Sequence, residues 1–195
     1  MSILVAYNKN GVVYMGTDTR IIKQGTITDD LCENNYKIKK FNDVLVGITG
    51  NYLVRQMVFA YPEIFTLPKN KTLTKKHIVK NIVPKLINVL FQNDLIAQED
   101  DEQDHMEASI VIAHKGELYE ITRAFTVYKY KDYQVLGNEC DVAEAVVFNS
   151  KKSDNINEKI VKALKYASKN SDEVGSPYLL IDTKDLKYTL VGDNI

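Results

Sequence analysis

Cysteine is scarce in this chain of 195 residues: there are two, Cys32 and Cys140, far apart in the sequence. That spacing excludes a disulfide framework and a thiolate metal cluster, and it points to reduced thiols in a cytoplasmic setting. Charge of one sign is equally lacking. The net charge of −1 argues against a nucleic-acid surface as the main partner. Long hydrophobic runs are missing too. The apolar stretch over 44–48 is the size of a strand and far too short to cross a bilayer, so no membrane partner is expected. The first residues carry no basic segment followed by an apolar stretch, as a signal peptide would. His77, His105 and His114 stand alone without ligand spacing, so neither a metal nor another cofactor is expected. No repeat, linker or low-complexity segment divides the chain, and residues 1–195 read as one domain.

What is present is an ordinary globular composition, 45% hydrophobic and 26% charged. Alternating residues from Ile3 to Tyr7, a turn at Asn10-Gly11 and a second run from Val12 predict a hairpin that ends at Gly16-Thr17-Asp18. Residues 19–37 are polar and rich in turn formers. A second hairpin is expected over 37–48 around Asn42-Asp43. After Gly50 the period changes from two to 3.6. Leu53, Val54, Met57, Val58 and Tyr61 predict a helix that Pro62 limits, and Ile78, Ile82, Leu86, Val89 and Leu90 predict a second one over about 74–95. Thr74 is its expected N-cap and Pro84 an expected kink. The acidic run 99–104 and the following Asp104-His105-Met106-Glu107 read as solvated loop. Strands are expected over 108–114 and 118–121, with one or two more within 125–137, where Tyr128, Tyr130 and Tyr133 suit a half-buried sheet. Helices over 141–148 and 157–168 and a hairpin over 178–191 complete the pattern. Two groups of strands and two pairs of helices suit a layered α+β domain.

Residues 2–50 resemble the start of a proteasome β-type subunit, or of the related bacterial two-ring peptidase. In that family an N-terminal hydroxyl residue opens a strand, and a Gly-x-Asp-x-Arg motif closes the next one; here Gly16-Thr17-Asp18-Thr19-Arg20 fits. A lysine then opens a strand and a small-residue stretch ends in glycine. Lys37-Ile38-Lys39-Lys40-Phe41 and Val46-Gly47-Ile48-Thr49-Gly50 follow that order. The resemblance implies the four-layer αββα sandwich of N-terminal-nucleophile hydrolases. It also implies peptide or protein substrates and a homo-oligomeric ring, and it leaves an ATPase partner open.

The implied site consists of Ser2, Asp18, Lys37, Gly50 and Asp172. Ser2, freed of Met1, would supply both the nucleophilic hydroxyl and the α-amine that acts as its base. Lys37 would keep that amine neutral, Asp18 would hold Lys37, and a backbone N–H at Gly50 would receive the oxyanion. The family's nucleophile is usually threonine. Asn138 stands where it has a serine, and Asp172-Glu173-Val174-Gly175-Ser176-Pro177 keeps only the first residue of its Asp-x-x-Ser-Gly-Gly pattern. Each position also has a plainer reading. Ser2 is a common second residue, Asp18 a turn former, Lys37 one of several strand lysines beside Lys39 and Lys40, and Gly50 a turn glycine. Two functions follow: a hydrolase acting through Ser2, or a non-catalytic scaffold subunit of the same fold that keeps Met1.

Overall fold

The computed structural model describes residues 2–23, 25–28, 35–68, 71–97, 104–150 and 155–192. Met1, Cys32 and residues 99–103 of the acidic run lie outside the described residues. Among the described residues, fourteen strands and a set of helical segments follow in order. β1 (Ile3–Lys9) and β2 (Val12–Asp18) form the first hairpin. β3 (Ile21–Lys23) and β4 (Thr26–Thr28) make a small ladder within the segment read as polar and turn-rich, and Gly25 between them takes a positive φ of 78°. β5 (Ile38–Phe41) and β6 (Val44–Gly50) form the second expected hairpin.

α1 (Tyr52–Ala60) ends before a 3-10 turn at Pro62–Phe65. The second expected helix is in three parts: α2 (Lys75–His77), a π-helical stretch Ile78–Ile82, and α3 (Val83–Gln92). Thr74 caps it as expected, its hydroxyl accepting the His77 N–H at 3.1 Å. Pro84 falls in the first turn of α3, where its missing N–H is least costly, and the wider π turn precedes it.

β7 (Ile96–Ala97) and β8 (His105–Met106) pair with each other. Residues 105 and 106 are therefore buried ladder, not solvated loop. The short-run pattern concealed this, because two residues carry no periodicity. β9 (Ala108–His114), β10 (Glu117–Ile121), β11 (Val127–Tyr130) and β12 (Tyr133–Gly137) follow. Then come α4 (Cys140–Asn149), α5 (Ile156–Ser168), β13 (Tyr178–Asp182) and β14 (Thr189–Val191).

Ten of these strands assemble into two five-stranded sheets, in the orders β12-β1-β2-β13-β14 and β11-β10-β9-β6-β5, while β3-β4 and β7-β8 remain two-stranded. Their pairings are antiparallel. Three apolar clusters show how the elements pack. One gathers Val46, Ile48, Ile110 and Ile112 of the second sheet with Val54 and Val58 of α1 and Leu86 and Leu90 of α3. Both early helices thus cover one face of that sheet, as the change of period predicts. Another gathers Ile3, Val5, Tyr178 and Leu180 with Ala143 of α4 and Ile160 and Leu164 of α5. The third joins the sheets to each other through Leu4, Met15 and Leu179 on one side and Ile38, Leu45 and Val111 on the other. Gly47 allows that approach, since a Cβ there would run into the Leu4 side chain. Burying such side chains contributes roughly 1.5–3 kcal/mol each, so these clusters hold the strand ends that carry the site.

A candidate active site where the two sheets meet

The site starts from the end of β2. Asp18 is fully buried, and its two carboxylate oxygens are both engaged. Oδ1 accepts the Ile3 N–H at 3.0 Å, and Oδ2 accepts the Lys37 ammonium at 2.7 Å. Thr17, next to it, donates its hydroxyl to the Ile3 carbonyl at 2.6 Å. The backbone of Ile3 is therefore gripped on both sides, which fixes where Ser2 stands. Lys37 lies one residue before β5 and is 1% exposed, so it is not one of the strand's solvated lysines. Burial pushes its ammonium down from the ordinary 10.5 to about 8. The charge and hydrogen bond of Asp18 pull it back up, while the Arg55 and Arg20 charges push it down.

Ser2 is 2% exposed. Its carbonyl accepts the Asn138 N–H at 2.8 Å, and its hydroxyl oxygen has no hydrogen-bond partner among the described residues. Gly137 precedes Asn138 with a φ of 105°, and a Cβ there would strike the Ser2 carbonyl oxygen. Only glycine lets the end of β12 come this close to the start of β1.

Gly50 closes β6 with a φ of 110°, and a Cβ on it would strike the Glu107 carbonyl oxygen. Asn51 donates its N–H to that oxygen at 2.8 Å. The hydrogen-bonded pair is thus Asn51–Glu107, and in an antiparallel ladder the neighbouring Gly50–Ala108 pair is not hydrogen-bonded. The Gly50 N–H accordingly points away from β9. Asn51 also caps α1 through the Leu53 N–H at 2.8 Å and donates to the Glu107 carboxylate at 2.8 Å. Ser2, Thr49, Gly50, Asn51 and Asn138 share one open cleft of about 800 Å³, with Arg123 and Glu107 on its rim.

Four of the five residues expected from the sequence therefore converge: Ser2 and Gly50 line the cleft, and Asp18 with Lys37 lies behind it. Asp172 does not line it. Its residue is exposed, and its backbone carbonyl accepts the Arg20 guanidinium at 2.6 Å. Arg20 also donates to the Val174 carbonyl at 3.3 Å, while its Nε is buried without a partner among the described residues. Gly175 leaves room for the guanidinium, which a Cβ would strike.

Sequence reasoning assigned no role to Arg20, Arg55, Glu173 or Thr17. Arg20 sat within the quoted motif, and Arg55 was signalled by its place between the apolar Val54 and Val58 of α1, where it is 5% exposed. Burial lowers the Arg55 proton affinity. Nothing local marked Glu173, which reaches Asn138 across the chain at 3.1 Å. Among the described residues no group of three His, Cys, Asp or Glu side chains could hold a metal ion, and no helix is long and apolar enough to cross a membrane.

No protein-family model matches the chain, and no curated protein does. Solved structures do. BPH of Thiobacillus denitrificans superposes with a TM-score of 0.76 at 18% identity, over 95% of this chain and 98% of that one. Its complex with epoxomicin gives 0.75. Anbu, an ancestral beta-subunit, from Yersinia bercovieri gives 0.72 at 11% identity, over 98% of this chain and 88% of that one. The chain has the fold of BPH and Anbu. A helical assembly of the Anbu complex from Pseudomonas aeruginosa superposes with a TM-score of 0.71 at 12% identity, over 99% of this chain and 88% of that one.

Proposed function

We propose that the chain is a proteasome-like N-terminal-nucleophile hydrolase, built as a four-layer αββα sandwich, that cleaves peptide or amide bonds through Ser2. The observation that carries this reading is the buried Asp18–Lys37 pair, tied through Ile3 to a Ser2 that faces the cleft. A buried ion pair adds little net stability, because both charges must leave water. Its position, behind a buried hydroxyl at the mouth of a cleft, suits a site that tunes proton affinity.

Removal of Met1 exposes the Ser2 α-amine, which titrates near pH ~8. In its neutral form the amine takes the hydroxyl proton, directly or through water. The oxygen attacks a carbonyl, the leaving amine departs with a proton, and the resulting acyl-enzyme is released by water. Lys37 disfavours a second positive charge beside it, and Asp18 fixes Lys37. The Gly50 N–H, unpaired with β9, is the donor for the developing oxyanion, a contribution of roughly 3 kcal/mol. Asp172 acts at one remove, through its carbonyl on Arg20. The α-amine and Lys37 titrate in the same range, so their protons come off as a coupled pair.

The subunit works in the cytoplasm as a homo-oligomer larger than a dimer, a reading that the Anbu assembly supports. An ATPase partner is left unassigned.

The test is made on protein whose intact mass shows that it begins at Ser2. It should hydrolyse acyl or peptide substrates, and it should bind epoxomicin, with which the Thiobacillus BPH forms a complex. Protein that keeps Met1 should do neither. No turnover and no binding by protein starting at Ser2 would decide for the scaffold reading.

A further inference from the structure

Asn138 makes a pattern of hydrogen bonds that the hydrolase reading does not use. Its N–H holds the Ser2 carbonyl. Its side-chain nitrogen has two hydrogens, and both are committed, to Ser171 Oγ at 2.8 Å and to Glu173 Oε2 at 3.1 Å. Ser171 Oγ in turn accepts the Glu173 N–H at 3.2 Å, so the three residues lock one another. The carboxylate also settles the amide's orientation, since a flipped amide would turn its oxygen on Glu173. The Asn138 Oδ1 is left without a partner among the described residues, on a residue that lines the cleft with Ser2.

We propose that Asn138 and Glu173 are a positioning pair for Ser2: Glu173 aims and polarises the Asn138 amide, whose Oδ1 accepts a hydrogen bond from the Ser2 α-ammonium. The inference rests on the reading of Ser2 as the first residue of the mature chain. Hydrogen bonds in series strengthen one another, and a carboxylate at the far end makes the amide oxygen a better acceptor. The pair favours the charged amine, which forms when the hydroxyl proton arrives. No proton passes to Asn138 or Glu173. Lys37 works against the charge of the amine, and Asp18, which holds Lys37, works for it; Arg20 and Arg55 act on Lys37, and Arg123 and Glu107, which line the cleft, oppose each other. Glu173 thus adds a negative charge that counters Lys37.

The test reads the amine itself and needs no turnover. In protein beginning at Ser2, the rate at which an amine-reactive ester acylates the α-amine is followed against pH, with the N-terminal peptide quantified by mass spectrometry. Glu173→Gln should lower the midpoint by about half a pH unit or more. Asn138→Leu should lower it as well, and the double variant should add little beyond the larger single effect. Thermal unfolding identifies any variant that has lost its fold, and the other single variant then carries the test. A midpoint unmoved in a folded Glu173→Gln or Asn138→Leu protein overturns the inference, and so does full additivity of the two. An inert wild type with the expected midpoints would overturn the hydrolase reading alone.

Discussion

The residues that line the cleft and those that stand behind them form two walls of different construction. One is made of strand ends: Asp18 closes β2, Lys37 precedes β5, and Gly50 closes β6. Its charged groups are fully buried, and its contacts follow from ladders and apolar clusters. The other wall is made of connections, at 138–139 and 171–175. There Asn138, Ser171 and Glu173 are only partly buried and hold one another by side-chain hydrogen bonds. The strand wall fixes charges at the cost of desolvating them, whereas the loop wall can adjust. Substitutions should therefore separate the walls: large costs in stability on the first, and changes in proton affinity on the second.

The largest effect is expected at the point where the walls meet. Ser2→Ala should lower hydrolysis by more than about a thousandfold, because no other hydroxyl is proposed to attack. Stability should stay within about 0.5 kcal/mol, since the hydroxyl it removes has no partner among the described residues. Turnover by Ser2→Ala equal to that of the wild type would break the assignment.

Lys37→Ala tests the strand wall. It leaves the Asp18 carboxylate buried beside a lost cation, and breaking such a pair typically costs about 3–5 kcal/mol. Urea unfolding should show this loss. The double variant Asp18→Asn with Lys37→Met, which removes both charges, should recover most of it. A single variant as stable as the wild type would mean that the pair is not buried in solution.

Gly50→Ala sits on the same wall and should cost about 1–3 kcal/mol, since its φ of 110° disfavours any side chain and the Glu107 carbonyl blocks the Cβ. Its activity should fall by more than its stability explains, because the shift moves the N–H aimed at the oxyanion.

Lys37 also gives the strand wall a pH signature. Its folded value of about 8 lies below the ordinary 10.5, so between those two values the unfolded chain binds more protons. Its contribution to stability therefore rises with pH across that window, and the burial penalty is fully present below it. Tyr119 and Tyr130 act in the opposite sense at the alkaline end, because burial and the carboxylates of Glu117 and Glu120 raise them. Subtracting the Asp18→Asn, Lys37→Met double variant isolates the lysine. The wild type should gain on it as pH rises from about 8 towards 10.

The same division explains what could be read in the sequence. Alternation and spacing placed both hairpins and α1, because a strand's period and its turn chemistry are local, whereas the strand-end residues Asp18, Lys37 and Gly50 were singled out by the family resemblance. Lys37 was expected to open the second hairpin and lies one residue before β5, yet its burial was hidden: Lys39 and Lys40 look the same in sequence, and only the packing of Ile38 and Tyr36 into the inter-sheet cluster distinguishes it. The loop wall was hardly legible. The bond between Asn138 and Glu173 spans 35 residues of chain and leaves no local pattern. β3, β4, β7 and β8 escaped because strands of two or three residues carry no measurable period.

Asp172 should give the smallest effect and the sharpest contrast between the walls. It belongs to the loop wall, its residue is exposed, and its contribution to the site is the backbone carbonyl that accepts Arg20. Asp172→Asn keeps that carbonyl and changes only an exposed side chain. The expected change in stability is below about 0.5 kcal/mol by urea unfolding. Asp18→Asn, the same substitution on the strand wall, leaves a buried Lys37 without its carboxylate and should cost several times more. Hydrolysis by Asp172→Asn should also stay within about threefold of the wild type, a change of roughly 0.6 kcal/mol in the barrier. A loss of activity as large as that of Ser2→Ala would mean that the side chain turns into the cleft during the reaction, and Asp172 would then join Lys37 among the groups that act on Ser2 directly.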